Sequence, residues 1–285
     1  LGVRGYQVVL TEAGRDLGGR VAQEARLPGL AAWIRVRDYR QQAIESMPNV
    51  EIYRESPMTA GDIAEFGFEH VAVAAGATWR RDGVARWHAR PVPVQAGAEV
   101  LTPDDLMAGL RPAGPRVVLY DDDHYYLGGV LAELLRAEDF EVEIVTPAPQ
   151  VSAWTVATME ITRIQRRLLT AGVVLRTNAA LTAVSAGKVT VASTYTGQST
   201  DLAADSVVLV TARLPRDELY HELTGRQAAG QLRSVRAIGD AWAPGTIAAA
   251  VWSGRRYAEE FDAEMPGTDA VPFRREVTQL AGDAP

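Results

Sequence analysis

Apolar runs closed by a glycine or an acid recur along the chain. Val8-Val9-Leu10-Thr11 closes on Glu12, and Val71-Ala72-Val73-Ala74-Ala75 on Gly76. Ser206-Val207-Val208-Leu209-Val210 runs into Thr211, and Val235-Arg236-Ala237-Ile238 into Gly239-Asp240. Continuous rather than alternating apolar runs of this length mark strands covered on both faces. Shorter strands are expected at 50–53, 116–120, 141–145, 173–176, 183–184 and 188–192. The stretches between carry helical signals. Residues 30–47 follow the Pro28-Gly29 break, with Trp33, Val36 and Ile44 as candidate core positions. Thr59 as N-cap with Asp62 forms a capping box for a helix over 59–66. Thr102, Pro103, Asp104 and Asp105 start a small capped helix. Helices are also expected over 125–136, 158–170 (arginine-rich on one side) and 245–262. Residues 215–229 read as irregular, and the tail after Met265 as frayed.

Strands alternating with helices imply α/β architecture with parallel sheets. The pattern restarts after the Pro- and Gly-rich stretch 91–114 and returns at the end of the chain. The expected fold is therefore two nested three-layer FAD/NAD(P)-binding-type (Rossmann-like) domains. The first comprises 1–110 with 231–285, and the second is 111–230, inserted into it. The opening segment, Leu1 to Glu12, reads as a helix end, a glycine turn and a strand closing on an acid, which is the second half of a βαβ dinucleotide-binding unit. The Gly-rich phosphate loop of such a unit lies about 20 residues before the acid. The first strand and that loop are thus expected to lie outside this sequence, which would make it a piece of a longer protein.

Composition narrows the class. The chain has 285 residues, 47% hydrophobic and 23% charged, as ordinary globular proteins do. A net charge of −7 argues against nucleic acid and anionic membrane surfaces as partners. Zero cysteines exclude disulfides, thiol catalysis and protein-ligated iron–sulfur clusters within this segment. A cytoplasmic location fits that, and no apolar run approaches the roughly 18 residues of a membrane span. Lys188 is the sole lysine, which reflects coding bias.

Four features carry chemistry. Glu12 stands where the acid of a dinucleotide-binding unit grips ribose hydroxyls. Gly18-Gly19-Arg20 follows at the spacing of a glycine turn that lets backbone approach phosphate or ribityl closely. Ala75-Gly76-Ala77, with a weaker counterpart at Thr211-Ala212-Arg213, marks strand ends where the chain passes between nested domains. Gly239-Asp240-Ala241 joins a strand to a helix whose positive end suits a cofactor. In the inserted domain, Asp121-Asp122-Asp123 occupies the place of a Gly-x-Gly-x-x-Gly loop. The next strand ends in Thr146-Pro147 rather than on an acid, so both halves of the NAD(P) fingerprint are missing. An acidic metal site at Asp121–Asp123 is the sharper alternative, though three consecutive carboxylates converge poorly. His70, His88, His124 and His221 show no metal spacing. Trp79 and Trp242 could line a cofactor.

Together Leu27-Pro28-Gly29-Leu30, Trp33, Arg37-Asp38-Tyr39, Ala75-Gly76-Ala77-Thr78-Trp79, Asp82-Gly83 and Ile238 to Pro244 resemble the C-terminal half of the trimethylamine dehydrogenase, dimethylamine dehydrogenase and dienoyl-CoA reductase family. In glutathione-reductase-type flavoproteins the acid matching Asp240 accepts hydrogen bonds from the ribityl chain. The resemblance implies an N-terminal TIM barrel with FMN and a [4Fe–4S] cluster, followed by two nested nucleotide-binding domains. The reductase branch carries FAD and NADPH. The amine dehydrogenase branch carries ADP in the FAD position and passes electrons to an electron-transfer flavoprotein. Asp121–Asp123 side with the amine branch and against NAD(P). The expected function is the nucleotide-binding part of an enzyme that oxidatively demethylates di- or trimethylamine-type substrates, homodimeric at full length. ADP or FAD would be held by Glu12, Gly18, Gly19, Arg20, Ala75, Gly76, Ala77, Gly239, Asp240 and Ala241, with no catalytic or metal-binding residue in this segment. The alternatives are an NAD(P)H-dependent flavin reductase and a non-catalytic ADP-binding docking module.

Overall fold

The structure is a computed structural model that describes residues 1–262. The tail expected to fray lies outside the described residues. In chain order the strands are β1 (Val8–Thr11), β2 (Val50–Tyr53), β3 (His70–Val73), β4 (Ala77–Trp79), β5 (Glu99–Leu101), β6 (Arg116–Asp121) and β7 (Glu141–Val145). They continue with β8 (Val174–Arg176), β9 (Ala179–Ser185), β10 (Lys188–Ser193), β11 (Ser199–Ala203), β12 (Ser206–Val210), β13 (Arg213–Pro215) and β14 (Ser234–Ala237). The helices are α1 (Arg20–Glu24), α2 (Arg35–Glu45), α3 (Ala60–Glu65), α4 (Pro103–Met107), α5 (Leu127–Ala137), α6 (Ile161–Thr170), α7 (Glu218–Ala228) and α8 (Ile247–Glu260).

The chain forms two compact units. Unit 1 gathers 1–19, 36–77 and 215 onward, and unit 2 gathers 20–35 and 78–214. The expected boundaries were 110/111 and 230/231; the passages between the units occur at 77/78 and 214/215, within β4 and β13, which pair with each other. Residues 20–35 also pass into unit 2, an excursion that the sequence pattern does not signal.

Unit 2 contains a five-stranded parallel sheet in the order β5-β12-β6-β7-β8. Its middle strands are sealed on both faces: every residue of β12 is buried, and in β6 only Arg116 is exposed. Leu119, Ile144 and Val208 pack on one face with Leu131 and Leu135 of α5 and Leu168 of α6. Val118, Tyr120 and Leu209 pack on the other with Leu181, Val189 and Val191 of the antiparallel sheet β11-β10-β9. Continuous apolar runs produce this sheet because both faces of each strand exclude water.

Unit 1 contains two parallel pairs, β1 with β2 and β3 with β14. Their strands are only partly buried, and Leu10 is 37% exposed. The 8–11 run, expected as a buried strand, forms in place but is not sealed. Local signals are realised faithfully. The Thr59 hydroxyl accepts from Asp62 N–H at 3.2 Å, and Asp62 Oδ2 accepts from Thr59 N–H at 2.8 Å. In unit 2 the matching box joins Thr102 to Asp105.

Two helical expectations are corrected. The stretch 215–229, expected to be irregular, contains α7; its fully buried Leu223 joins Leu232 and Val235 in a core that only tertiary packing supplies. The helix expected over 30–47 divides into a 3-10 turn at Ala31–Ile34 and α2, because the chain changes unit at residue 36. Trp33, Val36 and Ile44, expected in the core, are half-buried.

Candidate functional site

In unit 1, the chemistry-bearing positions follow directly on the C-terminal ends of parallel strands, where ligands of open α/β sheets bind. Glu12 succeeds β1, with its N–H donating to Tyr53 O at 2.8 Å. Its carboxylate oxygen Oε1 accepts Gly14 N–H at 2.8 Å, which points the acid into the turn beyond the strand. Ala75 and Gly76 succeed β3, and Gly76 has φ +81°, a left-handed backbone that a side chain would strain. The Gly76 carbonyl accepts Arg216 N–H at 2.9 Å.

After β14, Gly239 has φ +60° and donates its N–H to Ser253 Oγ of α8 at 2.9 Å. Asp240 Oδ1 accepts Gly245 N–H at 3.0 Å, and Thr246 Oγ1 caps α8 by accepting Ala249 N–H at 3.2 Å. The turn is thereby tied to the positive end of a 14-residue helix. Gly18 (φ +107°) and Gly19 are exposed. This donor set fits an adenine nucleotide: a carboxylate for ribose hydroxyls, and bare, positively curled glycine backbone where phosphate or ribityl would approach.

Of the residues expected to hold nucleotide, Arg20 alone belongs to unit 2. Its Nε lies 3.2 Å from Oε1 of Glu24, a fully buried acid whose Oε2 accepts from the Tyr126 hydroxyl at 2.6 Å. Burial and the Glu24 charge push the Tyr126 phenol well above its usual range. Trp33 meets the Tyr126 ring edge-on at 4.7 Å. The sequence offered no signal for Glu24 beyond its i,i+4 spacing from Arg20. Trp79 is buried in unit 2 and Trp242 is 66% exposed in unit 1.

The Asp121–His124 turn is buried chemistry. Asp121 is the last residue of β6 and has no exposed surface; its Oδ1 accepts N–H from Asp123 at 3.2 Å and from His124 at 3.1 Å. Burial, with the Asp123 charge adding to it, pushes the Asp121 carboxyl up to about 7. Burial raises Asp123 as well, against Arg86, His124 and Arg20. Asp122 accepts Trp87 N–H at 2.8 Å, and its Oδ1 lies 3.1 Å from His124 Nε2 without an aligned hydrogen bond. Among the described residues no group of His, Cys, Asp or Glu is arranged to hold a metal ion. No described helix is long and apolar enough to cross a membrane.

Residues 101–218 match the family model described as the OYE-like second alpha/beta domain. The chain is 32% identical to dimethylamine dehydrogenase of Hyphomicrobium sp. (strain x) over 96% of its length and 41% of that protein. The structure of histamine dehydrogenase from Rhizobium sp. 4-9 superposes with a TM-score of 0.93 at 49% identity, over 98% of this chain and 44% of that one. The structure of 6-hydroxypseudooxynicotine amine oxidase from Pseudomonas geniculata N1 superposes with a TM-score of 0.88 at 42% identity, over 91% and 39%. The chain belongs to the trimethylamine dehydrogenase and dienoyl-CoA reductase family of flavin-dependent oxidoreductases. It spans less than half the length of these relatives.

Proposed function

We propose that this chain is the C-terminal, nucleotide-binding portion of an amine dehydrogenase-like oxidoreductase, built as two nested Rossmann-like domains. Unit 1 holds ADP or FAD through Glu12, Gly18, Gly19, Gly76 and Gly239-Asp240, with Ala75, Ala77 and Ala241 in the same turns. The observation that carries the reading is the succession of an acid, a left-handed glycine and a Gly-Asp turn on the ends of β1, β3 and β14. The whole protein oxidises an amine of the di- or trimethylamine type; its relatives named for histamine and 6-hydroxypseudooxynicotine support amines as the class. FMN, a [4Fe–4S] cluster and the chemical step belong to a TIM barrel of the same polypeptide. Electrons leave to an electron-transfer flavoprotein, and the full protein is a cytoplasmic homodimer. Unit 2 takes no NAD(P), a reading supported by the buried carboxylate at the end of β6.

Mass spectrometry of nucleotide released by denaturing the full-length protein, with an absorbance spectrum beside it, tests this reading. One ADP together with one FMN is the expected result. Release of no adenine nucleotide, or FAD with bleaching by NADPH, overturns it in favour of a nucleotide-free module or a pyridine-nucleotide reductase.

A further inference from the structure

Unit 2 holds a phenol–carboxylate pair that the nucleotide reading does not use. The Tyr126 hydroxyl donates to Glu24 Oε2 at 2.6 Å, within the reach over which a proton passes directly from donor to acceptor. Glu24 has no exposed surface, and its other oxygen, Oε1, lies 3.2 Å from Arg20 Nε. Burial foremost, then the Glu24 charge, its hydrogen bond and the Asp123 charge, push the Tyr126 phenol up, with Arg20 pulling the other way. The phenol therefore keeps its proton until its ring loses an electron, which turns any phenol into a strong acid. Two oxidisable rings reach Tyr126. Trp33 meets it edge-on at 4.7 Å, and Tyr125 meets it edge-on at 5.0 Å. Both are half-buried, so each connects Tyr126 to the surface of unit 2.

We infer that Tyr126 and Glu24 form a proton-coupled one-electron redox site, with Trp33 and Tyr125 carrying electrons between it and the surface. A one-electron oxidant takes an electron from Trp33 or Tyr125, and the oxidised ring takes one from Tyr126 in turn. The O–H bond of Tyr126 breaks and its proton bonds to Glu24 Oε2. A neutral tyrosyl radical then stands beside a neutral carboxylic acid, and the oxidant has been reduced by one electron. An electron from a reductant and the same proton restore the pair. Other phenols of the chain lack one part or another. Tyr53 donates to Glu51 at 2.8 Å and Tyr6 to Asp262 at 3.0 Å, but both acids are exposed and hand a proton on to water. The rings packed against those phenols are Phe66 and Phe261, which do not carry an electron hole. Tyr120 is fully buried, and no carboxylate is hydrogen-bonded to its hydroxyl.

The test uses full-length protein with its cofactors oxidised, and photogenerated tris(bipyridine)ruthenium(III) as the one-electron oxidant. Paramagnetic resonance of samples frozen after the flash, with and without ring-deuterated tyrosine, separates tyrosyl radicals from flavin and tryptophan signals. The charged groups facing Tyr126 are Glu24 and Arg20 of α1 and Asp123 of the turn before α5. The parent is expected to give a long-lived tyrosyl radical whose yield is constant across neutral pH, because the proton goes to Glu24 and not to solvent. Tyr126→Phe is expected to lose that long-lived component. Glu24→Gln keeps a hydrogen-bond acceptor of the same shape that takes no proton; it is expected to shorten the radical's life and make its yield rise with pH. Trp33→Phe combined with Tyr125→Phe keeps the packed rings and is expected to slow formation of the radical. If Tyr126→Phe does not melt cooperatively with Glu24 left buried, Tyr126→Phe with Glu24→Leu removes donor and charge together and carries the same test. An unchanged radical in folded Tyr126→Phe overturns the inference, as does a Glu24→Gln radical with the parent's lifetime and pH profile, or a parent without a long-lived tyrosyl signal. Formation at the parent's rate in the double ring variant overturns the relay. Because every readout lies within unit 2, it fails or succeeds independently of the nucleotide proposed for unit 1.

Discussion

The two parallel-sheet systems of this chain are written in the same apolar vocabulary and reach different degrees of burial. Val8-Val9-Leu10-Thr11 and Ser206-Val207-Val208-Leu209-Val210 are equally continuous runs. In unit 2, β12 sits between β5 and β6, and each of its residues is buried. In unit 1, β1 pairs with β2 and with no other strand among the described residues, and none of its residues is fully buried. Burial is a property of neighbours: a strand with a partner on each side and helices or strands over both faces loses nearly all its water, and an edge strand cannot.

The largest test of that contrast is a pair of truncations. Leu119→Ala, at a side chain with no exposed surface, is expected to cost about 2–5 kcal/mol in denaturant unfolding of unit 2. Leu10→Ala, at a position 37% exposed, is expected to cost less than about 1 kcal/mol. Equal costs would break the comparison. Next in size, Glu12→Ala is expected to weaken adenine-nucleotide retention by about 10- to 100-fold, the effect of losing hydrogen bonds to a charged group. Equilibrium dialysis of ADP would measure it, with hydrogen exchange in β6 and β12 unchanged. A loss of protection in unit 2 would mean that Glu12 acts on the fold rather than on the ligand.

A third test turns on pH. The Asp121 carboxyl stands at about 7 in the folded chain against 3.8 for the free side chain. Its folded value is raised, so the folded state holds a proton that the unfolded state has released. Its stabilising contribution is fully present below the unfolded value and is lost as pH rises through the window from about 4 to about 7. The slope is at most about 1.4 kcal/mol per pH unit, the limit for one proton. Thermal melts should show the parent losing ground to Asp121→Asn across that window, and parallel profiles would sink the idea. The smallest expected effect is Thr59→Ala, which removes the exposed capping-box hydroxyl of α3 at a cost of about 1 kcal/mol or less. Thr102→Ala, at a cap only 1% exposed, should cost more, because it leaves Asp105 and its N–H partners buried with one fewer bond.

Much of this was legible from the residues. Thr59 with Asp62 and Thr102 with Asp105 are local arrangements, set within one helical turn, so their spacing alone announces them. Glu12, Gly76 and Gly239-Asp240 were legible because each punctuates an apolar run. By contrast α7 was hidden, since residues 215–229 carry weak helical signal and gain their helix from burying Leu223. Glu24 was hidden for a related reason: its partner Tyr126 lies 102 residues away.

The sequence by itself determined the α/β class, the sites of turns and caps, and the loss of a Gly-rich loop after β6, because each is encoded by neighbours within a few residues. Only the tertiary structure decided that residues 20–35 join unit 2, that 8–11 stays half-buried while 206–210 is sealed, and that Asp121 folds back onto its own turn. Those outcomes depend on which surfaces meet across long stretches of chain and on how far water is excluded where they do.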